Sequence, residues 1–276
     1  MLPLVFGHEA RTRRWPYVTI CLIGLNVLVF AFEVSVRQRL FPFLQEWGLV
    51  PARVQAEVTA HNMATVVSSE FMHGDFFHLF FNMWFLYVFG DSLEDALGHW
   101  WYLFLYLVAG FFGNMVFIAT SGGSPYPVIG ASGAIAGVMG ASLVIWPTAR
   151  LRVPGFVLGF FAFGLVLTLG NLVTGGLGFL FLLPALLVTL ALMGYLVHEA
   201  GSIPGGLFRF FGTPAWAVLG MFLLLNVWEG AAAIVDPRLA GNVAVWAHVG
   251  GFAVGALFGA LFPKSPVQLR RRRELA

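Results

Sequence analysis

The chain has 276 residues, 59% of them hydrophobic and 10% charged, with a formal net charge of +2 and a mean hydropathy of +0.85. A soluble domain carries about 25% charged residues, so the composition excludes a soluble globular protein and indicates a polytopic membrane protein. The basic residues are divided among flanks rather than gathered on one face, which argues against a nucleic-acid partner, and the one cysteine, Cys21, allows neither an internal disulfide nor a cysteine metal cluster.

Residues 1–16 read as a polar tail carrying Arg11, Arg13 and Arg14. The first span is predicted over about 17–36. No small-residue cleavage site follows it before Arg37, so it reads as a span and not as a removable signal. Residues 37–72 mix Phe41, Phe43 and Trp47 with charges and Pro51, the pattern of a loop lying in the membrane interface. The second span covers about 74–90, with Asp75 as a helix N-cap. A short acidic turn (Asp91, Glu94, Asp95) and Gly98 lead to the third span, about 100–120. The stretch 121–127 is rich in Gly, Ser and Pro and cannot be helix; the fourth span, about 131–146, follows it.

The apolar region 154–197 is too long for one span and is broken at Gly170 to Gly176, so it reads as two, about 154–170 and 177–197. A polar turn containing His198, Glu199 and Arg209 precedes a seventh span at about 214–234. The eighth covers about 243–262, and a basic tail ends in Arg270 to Arg273. With the N-terminus inside, the inner flanks hold eleven Lys and Arg residues against four outside (Arg37, Arg39, Arg53, Arg238). That bias predicts cytoplasmic termini and spans two, four and eight starting at the outer face.

Gly130-Ala131-Ser132-Gly133 heads the fourth span. A helix starting beside Ser132 offers unpartnered backbone N–H groups and its positive dipole end to a hydroxyl nucleophile. The same stretch also suits small-residue packing between membrane helices. Three further polar side chains interrupt apolar spans, where such groups are costly. His78 and Asn82, four apart, share one helix face, and His248 lies near the start of the last span. A lone intramembrane histidine serves packing or gating as well as catalysis. All of these residues fall within about two turns of an outer helix end, each residue rising ~1.5 Å, and therefore at similar depth. His248 is followed by Gly251, Gly255 and Gly259, and Ser132 by Ala136 and Gly140, small residues that permit close backbone approach.

This set resembles the rhomboid intramembrane serine proteases: Gly130-Ala131-Ser132-Gly133, Ala247-His248-Val249-Gly250-Gly251, and His73, His78 and Asn82 in their spacing. Gly90 to Glu94, Leu97-Gly98 and Pro214-Ala215-Trp216 belong to it too. No single motif is specific; the set in this order is. The resemblance covers most of 17–152 and 213–262. It implies an all-α membrane bundle of six helices, here with a two-helix insertion at about 154–197, within a membrane domain of 17–262 and a basic tail of 263–276. It further implies Ser132 as nucleophile and His248 as general base and later acid. The oxyanion hole would be the Ser132 N–H with His78 and Asn82, supported by His73, Gly130 and Gly133. No cofactor or metal is expected. Partners would be single-span membrane protein substrates and the lipid bilayer of a bacterial-type plasma membrane, while the oligomeric state is not legible. The alternative is a catalytically inactive rhomboid-like protein that binds membrane helices.

Other intramembrane hydrolases fit less well. His198-Glu199 lacks the second histidine of a zinc motif, and Asp75 and Asp91 lie at opposite ends of one span. Two departures from the family stand out. The position four after Ser132 is Ala136, where many members carry an aromatic that supports the histidine ring, so that support falls to an aromatic of another span. The 154–197 insertion is the second. No third carboxylate is expected; Asp236 and Glu229 lie near the last span in sequence and are the candidates if one does orient His248.

Overall fold

The structure, a computed structural model, describes residues 15–154, 210–235 and 244–262. The chain divides into two compact units, residues 1–9 with 150–214 and residues 10–149 with 215–276. Of the first unit, the described part is a two-stranded antiparallel ribbon, β1 (Arg150–Pro154) and β2 (Phe210–Pro214), with Arg152 opposite Gly212. The sequence pattern predicts no strand there: Arg150 and Arg152 read as a polar flank, and 154 and 214 as the starts of spans. The two spans expected within 154–197 lie outside the described residues, as do most of the 1–16 tail and the basic tail.

The second unit is a helix bundle. In chain order it contains α1 (Tyr17–Ser35), α2 (Leu40–Trp47), α3 (Pro51–Ala56), α4 (Ala60–Ser68), α5 (Phe76–Leu97), α6 (His99–Thr120), α7 (Ser132–Ile145), α8 (Ala215–Val235) and α9 (Val245–Leu261). Helices α1, α6 and α8 each hold a stretch long and apolar enough to cross a membrane, and α7 and α9 are shorter apolar helices. Together with the strongly apolar composition, this makes it an integral membrane protein. The stretch between α1 and α5 is not simple loop. It folds into three short helices and two single-turn 3-10 segments, because Pro51 starts a helix at N1 and the Thr59 hydroxyl caps the next at Asn62 N–H, 3.1 Å.

Helix α5 runs seven residues past the expected end of its span. Asp75 caps it as expected, accepting from the His78 N–H at 2.9 Å. The supposed acidic turn is helical, and the helix stops at Gly98, whose φ of +81° ends it. Glu94 explains why charge is tolerated there. Its buried carboxylate accepts the N–H groups of Val18 (2.9 Å) and Thr19 (2.8 Å) and the Thr19 hydroxyl (2.7 Å). It thereby satisfies the first-turn donors of α1. His99 Nδ1 adds a contact at 2.5 Å. Glu94 is thus the clasp between α1 and the start of α6.

Helix α7 sits at the centre, with α5, α6, α8 and α9 packed around it and eleven of its fourteen residues buried. Its closest partner is α9, and the approach is backbone to backbone. A Cβ at Gly251 would strike the Gly133 carbonyl, one at Gly255 the Gly137 carbonyl, and one at Gly140 the Phe252 carbonyl. On α7 the contact runs through Gly133, Gly137 and Gly140, with Ala141 against Gly259.

Candidate active site

Ser132 is the first residue of α7, and the loop before it is pinned from two sides. Leu49 and Val128 exchange backbone hydrogen bonds at 3.1 and 2.7 Å, and the Gly130 N–H donates to the Ser69 carbonyl at 2.9 Å. Gly130 has φ +129°, a conformation an L side chain rarely adopts. Ala131 offers no side-chain cap to α7, so the first N–H groups of the helix are left to whatever lies in front of Ser132.

His248, in the first turn of α9 and 8% exposed, places Nε2 2.7 Å from Ser132 Oγ. The two residues are 116 positions apart in sequence; the glycine contacts below them allow helix axes close enough for so short a bond. The other ring nitrogen, Nδ1, lies 2.7 Å from Asn226 Oδ1 of α8. Asn226 Nδ2 in turn donates to the Phe222 carbonyl at 2.8 Å. The Phe222 ring is 5.9 Å from the imidazole, so an aromatic of α8 stands beside the ring where Ala136 offers none. The group facing Nδ1 is an amide, not Glu229, which is exposed on α8; Asp236 lies outside the described residues.

His78 and Asn82 both face the Gly130 turn. A Cβ at Gly130 would come within 2.8 Å of His78 Nε2 and 3.7 Å of Asn82 Nδ2, so the glycine keeps this space open for their donors. Asn82 Nδ2 also lies 2.9 Å from His73 Nε2. An amide nitrogen only donates, which makes His73 Nε2 the acceptor and leaves the second amide N–H of Asn82 for the site. Burial and the neighbouring His78 pull the His73 imidazole down to about 4, so it is neutral at physiological pH. Its backbone N–H is held by Glu33 of α1 at 3.0 and 3.2 Å.

The sequence reading did not single out Asn226 or Glu33. Each is a polar side chain inside an apolar span, the signal that had drawn attention to His78 and His248. The structure brings Ser132, His248, His78, Asn82, His73 and Gly130 into one neighbourhood. Gly133 lies against the α9 backbone at Ala247, next to His248. Among the described residues no three His, Cys, Asp or Glu side chains converge as metal ligands would. Chemically, the assembly pairs a hydroxyl with a basic nitrogen at hydrogen-bond distance, beside hydrogen-bond donors gathered at a helix start.

Residues 60–183 match the family model described as Rhomboid domain. Over 261 residues the chain is 25% identical to Rhomboid protein 1, mitochondrial, of Saccharomyces cerevisiae, an alignment covering 91% of this chain and 55% of that protein. Over 131 residues it is 42% identical to Rhomboid protease GluP of Bacillus subtilis, covering 47% of this chain and 25% of that protein. The chain thus spans about half the length of the first relative and a quarter of the second.

Proposed function

We propose that this chain is an intramembrane serine endopeptidase acting on transmembrane or juxtamembrane segments of membrane proteins, a reading supported by the match of residues 60–183 to the rhomboid domain model. The observation that carries this reading is the 2.7 Å contact between Ser132 Oγ and His248 Nε2. The likeness to Rhomboid protease GluP supports it.

In the proposed mechanism His248 Nε2 takes the Ser132 hydroxyl proton as Oγ attacks the scissile carbonyl carbon. The carbonyl oxygen gains the negative charge. The Ser132 N–H, at the positive end of α7, and the side chains of His78 and Asn82 receive it. His248 then passes its proton to the leaving amine nitrogen, the C–N bond breaks, and Ser132 carries the acyl group. A water molecule, deprotonated by His248, attacks the ester and returns Ser132 to its hydroxyl form. Gly130 serves this chemistry by keeping a side chain out of the space where the oxyanion forms.

The substrates that fit are single-span proteins whose helix unwinds locally to expose a carbonyl to the Ser132 hydroxyl, with access beside α8. Small or helix-breaking residues at the cut follow from that requirement. The Lys and Arg distribution supports a bacterial-type plasma membrane with both termini cytoplasmic.

The test is cleavage of a single-span reporter reconstituted in liposomes, with fluorophosphonate labelling in parallel. Wild type should cleave and label. Ser132→Ala should do neither while melting at the wild-type temperature, and His248→Ala should lose cleavage. Wild-type cleavage by Ser132→Ala would overturn the proposal. Failure of the wild type to label or cleave any reporter would favour an inactive helix-binding relative.

A further inference from the structure

A general base must present a lone pair, and a neutral imidazole carries its proton on one nitrogen or the other. Which nitrogen carries it at His248 follows from hydrogen bonds two residues away. The Phe222 carbonyl, one helical turn before Asn226, can only accept. Asn226 lies 2.8 Å from it through Nδ2, so the amide nitrogen belongs on that side and the amide oxygen on the other. That oxygen, which also only accepts, lies 2.7 Å from His248 Nδ1. Nδ1 must therefore donate, so the proton sits there. Nε2 is left bare, 2.7 Å from Ser132 Oγ, and the hydroxyl donates to it. Both Asn226 and His248 are buried, each 8% exposed, so water competes little for these bonds.

We propose that Asn226 is a positioning residue that holds His248 in its Nδ1–H form, so that Nε2 faces Ser132 as the base. This rests on the Ser132–His248 reading and extends it to a third helix. The amide of α8 does here what a carboxylate does in soluble serine hydrolases: it orients the ring and accepts from Nδ1–H throughout the reaction. An amide suits the membrane interior because it does so without a buried charge. Removing it frees the ring to rotate and to populate the other tautomer, in which Nε2 carries a proton and cannot accept one.

Two measurements test this in purified full-length protein. The first needs no variant: 15N spectra of histidine-labelled wild type, assigned by comparison with His248→Ala, should show His248 with a protonated Nδ1 and a bare Nε2. A protonated Nε2 in the resting protein would overturn the proposal. The second compares Asn226→Ala, Asn226→Asp and Ser132→Ala on a transmembrane reporter. Asn226→Ala should lower kcat ~10²-fold with KM within about twofold. Asn226→Asp, which keeps an acceptor oxygen, should recover at least about a tenth of wild-type kcat. Asn226→Leu, which keeps the volume without an acceptor oxygen, should be as slow as Asn226→Ala, whereas a residue needed only for packing would be rescued by it. Asn226→Ala with wild-type kcat, or Asp no better than Ala, overturns the role of Asn226 while an inactive Ser132→Ala leaves the two-residue reading standing. If Ser132→Ala itself cleaves, that underlying reading fails instead.

Discussion

Gly113 of α6 lies against the backbone of α9 next to His248, and its replacement by alanine isolates how much the site depends on helix separation. A Cβ there would come 2.6 Å from the Ala247 carbonyl oxygen, 3.2 Å from Gly251 N and 3.4 Å from Gly251 Cα. All three are backbone atoms, so no rotamer change relieves the overlap. Ordinary contact begins near 3.4 Å, which requires the helices to part by roughly 0.8 Å. A displacement of that size can lengthen the Ser132–His248 bond from 2.7 Å to ~3.5 Å, outside the hydrogen-bond range. Over-packing costs ~1–3 kcal/mol, while Gly→Ala inside a helix gains ~1 kcal/mol. The net change in melting temperature is therefore small, and activity is the informative readout. A misplacement approaching 1 Å at a reacting pair costs ~10–10²-fold. The control is Gly24→Ala in α1, where nothing lies within 4 Å of the added methyl; it gains the helix propensity and keeps the rate. The assay is kcat on a reconstituted reporter with thermal unfolding in detergent alongside. If Gly113→Ala cleaves as fast as Gly24→Ala, the claim that α9 is held at a critical distance is wrong.

Further outcomes follow from the buried carboxylates. Glu70 is 1% exposed and its oxygens find no hydrogen-bond partner among the described residues; burial pushes its carboxyl up to about 9. Folding therefore takes up a proton between the ordinary carboxylate range and about 9, and stability falls as pH rises through that window, by on the order of 3 kcal/mol at pH 7. Glu70→Gln should remove this slope, melting well above wild type at pH 8 and close to it at pH 5; equal shifts at both pH values would contradict the assignment. On the acid side His73, held down to about 4, gives stability that is complete above its ordinary 6.5 and lost as pH falls toward 4, so His73→Gln should flatten the wild-type decline in melting temperature there. Glu94→Ala removes the clasp on Val18 and Thr19 and should cost ~2–3 kcal/mol, read as lowered thermal stability in detergent. His99→Ala, at the half-exposed end of the same cluster, should cost under ~1 kcal/mol.

The helical runs were legible because each is a long apolar stretch closed by glycine, proline or charge. Thus α1, α6, α7, α8 and α9 begin and end within about two residues of where hydropathy puts them. Helix α5 was misjudged at its end because the partners that make Glu94 acceptable lie 75 positions upstream at Thr19, and nothing local announces them. The polar residues of the site were legible for a physical reason: a membrane interior makes each one expensive. Ser132, His78, Asn82 and His248 stood out on that ground, each within about two turns of the start of its helix. What the sequence hid is which polar group faces which. Asn226 carries the same signal as Asn82, yet its pairing with His248 depends on how α8 is rotated against α9, and periodicity within one helix is silent on that. Glu33 was hidden similarly, as one acid in a span whose donor, the His73 N–H, lies 40 positions away.

The contact between α7 and α9 joins residues 116 positions apart, and that separation sets an order of events during synthesis. On the two-residue reading, the hydroxyl is made and inserted while the chain that will supply its proton acceptor is still being translated. If that reading holds, Ser132 stays an ordinary alcohol until α9 is made, and the unfinished chain cannot cut itself or its neighbours. On that proposal, reactivity is complete only once α9, the last of the described helices, is in place.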